Sequence, residues 1–310
     1  MATLRDIQRR RRAVDNIKQI TRAMYLVAAA KMRRAEDQVK AGRPYTEKLN
    51  QLLGRLAREG LVEHPLLHER EKKRTLVVVV SGDRGLAGSY NHNVHRFGQQ
   101  AIREAAEHAE QVELFTMGRR ARDYFRRAGI ESAGAVTEVG EEISFGRARE
   151  VARDLMQRFT SGSVDEIRVV YTRFVNAMLQ DVVNLQLLPI GGLQTGDEDG
   201  SETLSEDGDG AATEGDRAGR HLDLVGYIYE PSAKRVFDEL LPKSVEIQLY
   251  RIMMEAKTSE HAFRMKAMKN ATDNAVDLID SLTMQFNRAR QAAITTEIAE
   301  IVGGAEALRA

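Results

Sequence analysis

The strongest constraint on this chain is a run of sixty residues, 243–302, that contains neither glycine nor proline. As one continuous α-helix this run would be about 90 Å long. Such a length exceeds that of ordinary globular helices, and a lone helix is only marginally stable in water. The segment 243–310 is therefore predicted to be a long helix that packs along its side against a partner.

The first sixty residues have the same character and supply the obvious partner. Residues 1–41 contain no glycine or proline, and strong helix formers dominate them. Thr3 is a candidate N-cap. After Gly42 and Pro44, a predicted weak point, the helical pattern resumes to about residue 60. Apolar residues recur at the three-and-four spacing of one helix face: Leu4, Ile7, Val14, Ile17, Ile20, Met24 and Val27.

Small and apolar residues in the C-terminal run predict how the two chain ends pair. They recur at three-and-four spacing: Ala271, Ala275, Leu278, Leu282, Ala289 and Ala293. Small side chains let two helix backbones approach closely, and the pattern resembles a coiled-coil seam, although it is not a clean leucine heptad. A paired rod is the favoured interpretation, and an ordinary helical hairpin within a bundle is the alternative.

The middle of the chain, residues 75–190, changes to strand-like runs that alternate with helical patterns. The runs are TLVVVV (75–80), VELFTM (112–117), IRVVYT (167–172) and VVNLQLLPI (182–190), with helical patterns near 91–108, 118–128 and 144–160. Such alternation predicts a parallel-rich sheet covered by helices. The predicted fold class is therefore α/β: a long antiparallel coiled coil of the N- and C-terminal helices with an inserted Rossmann-like α/β domain.

Two connecting segments lie between the sheet region and the C-terminal run. In the first, 191–222, residues 195–220 carry nine acidic and two basic residues, the composition of a flexible, solvated loop. Calcium binding is the alternative for its acidic clusters, but their spacing does not match an EF-hand loop. The second, 223–242, contains a short predicted strand, LVGYIYEP (224–231), and ends at Pro242, which predicts the start of the C-terminal helix.

Composition excludes several classes of site. The chain has no cysteine, which excludes disulfides, thiolate catalysis and zinc–thiolate centres. No apolar run reaches the roughly 18 residues of a membrane-spanning helix, and the basic N-terminus lacks a signal-peptide core, so a cytoplasmic location is expected. Residues 1–40 hold eleven basic and four acidic residues. Three interpretations of this charge stay open: nucleic-acid binding, a solvated basic face, or a basic rod inside an acidic sleeve of another protein.

The motif SGDRGLAGSYN (81–91) follows the first predicted strand and looks like a phosphate-binding loop. A P-loop requires a Gly-Lys pair, and the chain contains none. A dinucleotide loop requires G-x-G-x-x-G, whereas the spacing here is G-x-x-G-x-x-G and Asp83 would repel a phosphate. Glycines also permit positive φ in a strand-to-helix turn. A turn is the favoured interpretation, and a nucleotide-binding enzyme remains a rival.

Other candidate sites are weak. His92 and His95 lie three apart on a predicted helix, without an acidic partner at ligand spacing, so a metal site is not favoured. Asp83 and Arg84 are predicted to form a local ion pair or to contact a partner. No nucleophile elbow of the form G-x-S-x-G is present.

The C-terminal stretch ITTEIAEIVGGAEA (294–307) resembles the signature of the gamma subunit of bacterial F-type ATP synthases. The resemblance extends over nearly the whole chain, because IKQITRAMYLVAAAKMRRAE (17–36), SGDRGLAGSYN, YIYEP (227–231), MKNATDNA (268–275) and NRARQAAIT (287–295) match further blocks of that family. The signature residues are Ile294, Thr295, Glu297, Glu300, Gly304 and Ala305.

Two departures from the family pattern are informative. Ala87 stands where many relatives have cysteine, so a thiol is not essential at that position. The acidic segment 195–220 lies near the place where chloroplast relatives carry a redox-regulatory insertion. A chain without cysteine cannot use that form of control, so the segment is interpreted as a spacer or a solubility feature.

The resemblance implies a non-catalytic shaft of a rotary motor, without a cofactor of its own. Such a shaft couples proton flow through the membrane c ring to ATP synthesis or hydrolysis on the beta subunits. It implies a peripheral protein at the cytoplasmic face of the cell inner membrane. It also implies two sets of contacts. Those with the alpha and beta subunits are placed at Met24, Arg290, Gln291 and Thr295, and those with the c ring and the epsilon subunit at Tyr227 and Glu230. A coiled-coil scaffold is the alternative besides the nucleotide-binding enzyme.

Overall fold

The computed structural model describes residues 3–58, 64–137, 140, 143–191, 230 and 232–307. Two long helices pair with each other, and a five-stranded α/β domain is inserted between them in the sequence, so the predicted fold class is confirmed. The elements are α1 (Leu4–Arg58), a 3-10 helix (Pro65–Leu67), β1 (Arg74–Val80), α2 (Tyr90–Ala106), β2 (Gln111–Met117), α3 (Arg119–Arg127), β3 (Ser132–Val136), α4 (Phe145–Thr160), β4 (Glu166–Phe174), β5 (Gln180–Leu188) and α5 (Ala233–Ala307).

Helix α1 begins with the predicted cap and is not interrupted. The hydroxyl of Thr3 accepts a hydrogen bond from the Asp6 amide at 3.3 Å, and the Asp6 carboxylate accepts one from the Thr3 amide at 3.3 Å. This reciprocal arrangement satisfies donors that a helix start leaves open. The helix then passes through Gly42 and Pro44 to Arg58, so the predicted weak point does not end it.

Helix α5 begins at Ala233, earlier than predicted. Pro242 lies inside the helix and does not mark its start. A proline there removes one backbone hydrogen bond. The same turns bury Phe237, Leu241 and Val245 completely, and this burial offsets the loss. The predicted strand 224–231, apart from Glu230, and the acidic segment 195–220 lie outside the described residues.

The two long helices run antiparallel, with a seam that differs from the predicted faces. The Thr272 hydroxyl donates to the Thr21 hydroxyl at 2.8 Å across the pair. Buried and half-buried residues alternate at spacings of three and four on both helices: Leu4, Ile7, Arg11, Val14, Lys18, Thr21, Tyr25, Ala28, Met32 and Ala35 on α1, and Met268, Thr272, Ala275, Ile279, Leu282, Phe286 and Ala289 on α5. This is the heptad pattern of a coiled coil.

Part of the predicted face points to solvent instead. Ile17, Ile20 and Val27 are 52%, 59% and 53% exposed, and Leu278 is 48% exposed. The prediction was wrong for these residues because polar side chains, such as that of Lys18, occupy part of the true seam. Apolar periodicity alone therefore indicates a stripe of the helix surface that lies next to the true seam.

The sheet has the strand order β3-β2-β1-β4-β5, with β5 antiparallel to β4 and the other pairs parallel. Helices α2 and α3 pack on one face, whereas α4, α5 and part of α1 pack on the other. Strand β3 was not predicted, because its sequence SAGAV has low strand propensity. Gly134 in β3 leaves room for the Phe115 ring, which a Cβ atom would meet at 2.5 Å.

The strands run along the shaft toward its free end. Near their amino ends the Ile190 amide bonds to the Leu66 carbonyl, and the His64 ring packs edge-on against Phe237. Near the carboxyl end of β4 the Ser259 hydroxyl donates to the Thr172 carbonyl at 3.2 Å. The loop after β1 therefore lies at the edge of the sheet that faces the free end of α5.

Candidate functional site

The glycine loop 81–91 is held by hydrogen bonds within the loop and to the start of α3. The Gly82 amide donates to Asn91 Oδ1 at 3.1 Å, and the Gly82 carbonyl accepts from the Arg120 amide at 3.1 Å. Asp83 Oδ1 accepts a hydrogen bond from the Arg119 amide at 2.8 Å. This carboxylate therefore satisfies a donor at the amino end of α3, where Gly118 is the capping residue.

A buried ion cluster on α5 faces this loop. The Glu260 residue is 2% exposed, and its carboxylate lies 2.5 Å from Arg264 Nη2 and 3.1 Å from Lys257 Nζ. Burial disfavours the carboxylate charge, but Lys257 and Arg264 outweigh it and lower the pKa of Glu260. Arg264 Nη2 also donates to the Gly85 carbonyl at 3.2 Å. The sequence reading missed this cluster, because its residues resemble a solvated helix face.

The glycines of the loop permit this close approach. A Cβ atom on Gly82 would lie 3.0 Å from the Glu260 carboxylate, and one on Gly88 would lie 3.6 Å from the Ala267 Cβ atom. Gly88 also has a positive φ of 55°, which favours glycine. In nucleotide-binding α/β folds the phosphates occupy this edge of the sheet. Here the carboxylate of Glu260, paired with Lys257 and Arg264, fills the space against Gly82, which supports the turn interpretation.

The two histidines on α2 do not form a ligand pair. His95 is 6% exposed, and its ring stacks on Tyr124 with centroids 4.5 Å apart. Burial, assisted by the charges of His92, Arg120 and Arg127, lowers the pKa of His95 to about 4. The ring is therefore neutral at pH 7 and serves packing. Among the described residues, no three histidine or acidic side chains are grouped to hold a metal ion.

The free end of α5 extends past the start of α1. Leu4 precedes Thr21 by seventeen residues. The Thr21–Thr272 contact therefore places Leu4 level with residue 289, seventeen residues after Thr272. Residues 290–307 then continue for about 27 Å along the helix axis. The residues from Arg290 to Val302 are all exposed. Ile294, Ile298, Ile301 and Val302 lie at helical spacing there and are 47%, 56%, 68% and 58% exposed.

The predicted contact residues fall into separate groups along the molecule. Arg290, Gln291 and Thr295 lie on the free end, together with signature residues Ile294, Glu297, Glu300, Gly304 and Ala305. Met24 is half-buried and level with about residue 269, so it lies about 32 Å from Arg290 along the shaft. Glu230 is exposed and precedes α5 at the opposite end of the molecule. Tyr227 lies outside the described residues.

Comparisons with known proteins agree over the full length of the chain. The family model described as ATP synthase matches residues 3–308. The chain is 43% identical over 309 residues to the ATP synthase gamma chain of Pelotomaculum thermopropionicum, covering 99% of this chain and all of that one. It is 45% identical over 306 residues to that of Symbiobacterium thermophilum, covering 98% and 97%.

This chain belongs to the ATP synthase gamma chain family. The resemblance read from the sequence is thereby confirmed, and with it the expectation of a non-catalytic subunit of the complex. In the described part of this gamma chain, no helix has an apolar stretch long enough to cross a membrane.

Solved structures share the gamma chain fold at low sequence identity. The rotor of the Euglena gracilis mitochondrial ATP synthase matches with a TM-score of 0.61 and 16% identity, covering 94% of this chain and 98% of that one. A chain from the central stalk and c-ring of the Tetrahymena thermophila enzyme matches with a TM-score of 0.57 and 21% identity, covering 81% and 99%. The paired helices and inserted sheet are therefore a fold found in other ATP synthases.

Proposed function

We propose that this gamma chain is the central rotating shaft of an F-type ATP synthase. It couples proton flow through the membrane c ring to ATP synthesis or hydrolysis at sites on the beta subunits. The observation that carries this proposal is the free end of α5, which extends beyond the level of Leu4 with Ile294, Ile298 and Ile301 exposed. A single helix with an uncovered apolar stripe is marginal in water. A sleeve formed by alpha and beta subunits would cover it.

The shaft acts on its partners by presenting different faces as it turns. A partner that contacts one face more favourably in one conformation is shifted toward that conformation. The exposed guanidinium of Arg290 can form forked hydrogen bonds to carboxylates or loop carbonyls, with Gln291 and Thr295 beside it. Met24, flanked by exposed Ile20 and Val27, supplies a second and lower contact about 32 Å away.

The opposite end of the molecule is proposed to receive the torque. Tyr227 and Glu230 contact the c ring and the epsilon subunit, at the cytoplasmic face of the cell inner membrane. Glu230 is exposed beside the first turn of α5, and the 75 residues of that helix span about 110 Å. A continuous helix of this length supports the delivery of rotation from one end to the other. The chain needs no nucleic acid partner for this role.

Reconstitution tests the proposal directly. Alpha and beta subunits from the same source are mixed with and without this chain, and ATP hydrolysis and size-exclusion profiles are measured. We expect a stable complex with strongly raised turnover and no hydrolysis by the isolated chain. A chain that fails to associate, or that hydrolyses ATP alone, would overturn the proposal.

Two neighbouring arginines provide a matched pair of variants for the upper contact. Arg290→Ala is expected to lower the ratio of protons pumped to ATP hydrolysed by roughly three- to tenfold, because it removes the forked donor. Arg288→Ala, at an equally exposed position two residues earlier, is expected to leave the ratio unchanged. Equal effects of the two substitutions would contradict the assignment of Arg290.

A further inference from the structure

The spacing of the glycine loop matches the spacing of one face of α5. Gly82 faces Glu260, Gly85 accepts a hydrogen bond from Arg264, and Gly88 faces Ala267. The glycines are three residues apart, and the helix positions are four and three apart. Three successive glycines therefore meet three successive positions of one helix face. The match accounts for Gly82 and Gly88, which lie against α5, whereas a Cβ atom on Gly85 would meet the Arg120 guanidinium of α3 at 2.7 Å.

We propose that Glu260 and Arg264 are positioning residues that fix the carboxyl edge of the sheet to α5. We call this ion pair, with its contacts to Gly82 and Gly85, the lock. Through this lock the α/β domain and the coiled coil turn as one body. The inference rests on the proposed rotary function and deepens it. It gives the glycine loop a role in holding the α/β domain on α5. None of the predicted contact residues has that role.

Burial makes the lock resistant to slipping. The side chains of Glu260 and Arg264 are only 3% and 13% exposed. Sliding the loop along the helix would separate the Arg264 guanidinium from the Gly85 carbonyl. The buried charge of Arg264 would then lack this hydrogen-bond partner, which is strongly unfavourable. Apolar contacts, in contrast, are non-directional. The contact between α5 and the sheet lower down is largely apolar, with Phe237, Leu249 and Met253 in its core.

A directional contact at this height has mechanical value. Torque acts across the shaft axis, and the α/β domain packs against only the lower part of α5. If the upper edge of the domain could shift on α5, part of the rotation applied at the lower end would be lost as internal deformation. The lock is thus expected to affect coupling between proton flow and hydrolysis more than hydrolysis itself.

The absence of cysteine allows a covalent substitute for the lock. The Cβ positions of Gly88 and Ala267 would lie 3.6 Å apart, within the usual range for a disulfide. The pair Gly88→Cys and Ala267→Cys can therefore be joined by oxidation. Because the positive φ of Gly88 strains any side chain there, the same cysteine pair in the otherwise unaltered chain is the reference. The lock itself is removed by Glu260→Gln together with Arg264→Met, which keeps the side-chain volumes similar.

The experiment uses the complex reconstituted in vesicles with cysteine-free partner subunits. Without the lock, we expect ATP hydrolysis to persist while the ratio of protons pumped to ATP hydrolysed falls by about threefold. Oxidation of the cysteine pair should restore the ratio, and reduction should lower it again. The same cysteine pair with Glu260 and Arg264 intact should show one ratio in both redox states.

A second ion pair on the same helix, in which only the carboxylate is buried and the arginine is 43% exposed, controls for a general loss of stability. Arg251 Nε lies 2.8 Å from Glu255, whose side chain is 5% exposed. Loss of that pair through Arg251→Met and Glu255→Gln should not be rescued by the Gly88–Ala267 cross-link. An unchanged ratio after loss of the lock, or a lowered ratio that the cross-link does not restore, would overturn the inference.

Hydrogen exchange on the full chain separates this inference from the proposed function. Loss of the lock should speed amide exchange in residues 82–91 by about tenfold or more, and the oxidised cross-link should reverse the change. Unchanged exchange would refute the lock even if the chain acts as a rotor. If the unaltered chain supports no proton pumping while exchange responds as expected, the rotary proposal fails and the lock remains as an internal contact.

Discussion

The two halves of helix α5 are stabilised in different ways. Between residues 245 and 262 the helix lies between α1 and the sheet, and even Glu255, Glu260 and His261 are buried there. From residue 290 to 302 every residue of the helix is exposed, isoleucines included. The lower half is thus held by the chain itself, whereas the upper end gains no such stabilisation from the described part of the chain.

The coiled coil between these extremes is intermediate. Its seam follows a heptad, but Thr21 and Thr272 meet within it and Lys18 lies along it. A polar seam limits the stability that burial can supply, while exposed Ile17 and Ile20 leave an apolar stripe outside. This coiled-coil part of the shaft therefore gains less stability from the burial of apolar surface than the lower half does.

The largest effect is expected when the same substitution is made at a buried and at an exposed position of α5. Leu249→Ala, at a fully buried position, is expected to cost about 2–5 kcal/mol of unfolding free energy because it leaves a cavity. Leu278→Ala, on the same helix but 48% exposed, is expected to change it by less than about 0.5 kcal/mol. Denaturant unfolding of the isolated chain measures both, and equal costs would contradict the contrast.

Acid should weaken the α/β domain and the lower half of α5 through one buried histidine in each, His95 on α2 and His261 on α5. Burial is the main cause that lowers the pKa values of His95 and His261 to about 4 from 6.5. The unfolded chain then binds protons that the folded chain does not, so stability falls as pH drops from about 6.5 toward 4. Each histidine is expected to account for about 2 kcal/mol between pH 7 and pH 5.

Single substitutions apportion this pH dependence. His95→Gln and His261→Gln should each flatten the fall in unfolding free energy between pH 7 and pH 5, and the double variant should flatten it further. Denaturant unfolding at both pH values measures the effect. A fall of undiminished size in the double variant would show that other groups carry the acid sensitivity.

Sequence periodicity predicted the elements of the fold better than their packing. The long helices, three of the parallel-sheet strands and the helices between them follow from apolar runs and from the absence of glycine and proline. Strand β3 does not, because SAGAV has too few β-branched or aromatic residues to signal a strand. The prediction that the C-terminal helix starts at Pro242 was wrong, because burial of Phe237 and Leu241 outweighs the local preference of proline.

Candidate sites were predictable only where local sequence carries the signal. The signature at residues 294–307 indicated the family from the sequence, and the resemblance placed predicted contacts at Arg290, Gln291 and Thr295, on what the structure shows to be the free end of α5. The cluster of Lys257, Glu260 and Arg264 could not be located this way, because its burial depends on a loop almost 180 residues earlier in the chain. Its spacing of three and four is common to any charged helix face, so nothing local distinguished it.

A smaller effect is expected where the two helices share a polar contact. The hydroxyls of Thr21 and Thr272 are 2.8 Å apart and partly buried. Either single substitution to valine should cost about 1 kcal/mol, because it leaves the other hydroxyl without this bond. Replacement of both should cost less than the sum. A double-mutant cycle from denaturant unfolding measures the coupling, and strict additivity would show that the contact contributes nothing.

The smallest effect on folding, and a clear one on assembly, is expected at the free end. Ile298 is 56% exposed, so Ile298→Ser should change the unfolding free energy of the isolated chain by less than about 0.5 kcal/mol. If alpha and beta subunits cover this side chain, its loss should weaken their binding on the order of tenfold. Titration of labelled chain with these subunits measures the affinity, with Thr296→Ser as the neighbouring control. An unaltered affinity would mean that the exposed stripe is left uncovered in the complex, and the contrast between the two halves of α5 would then need a cause other than a partner.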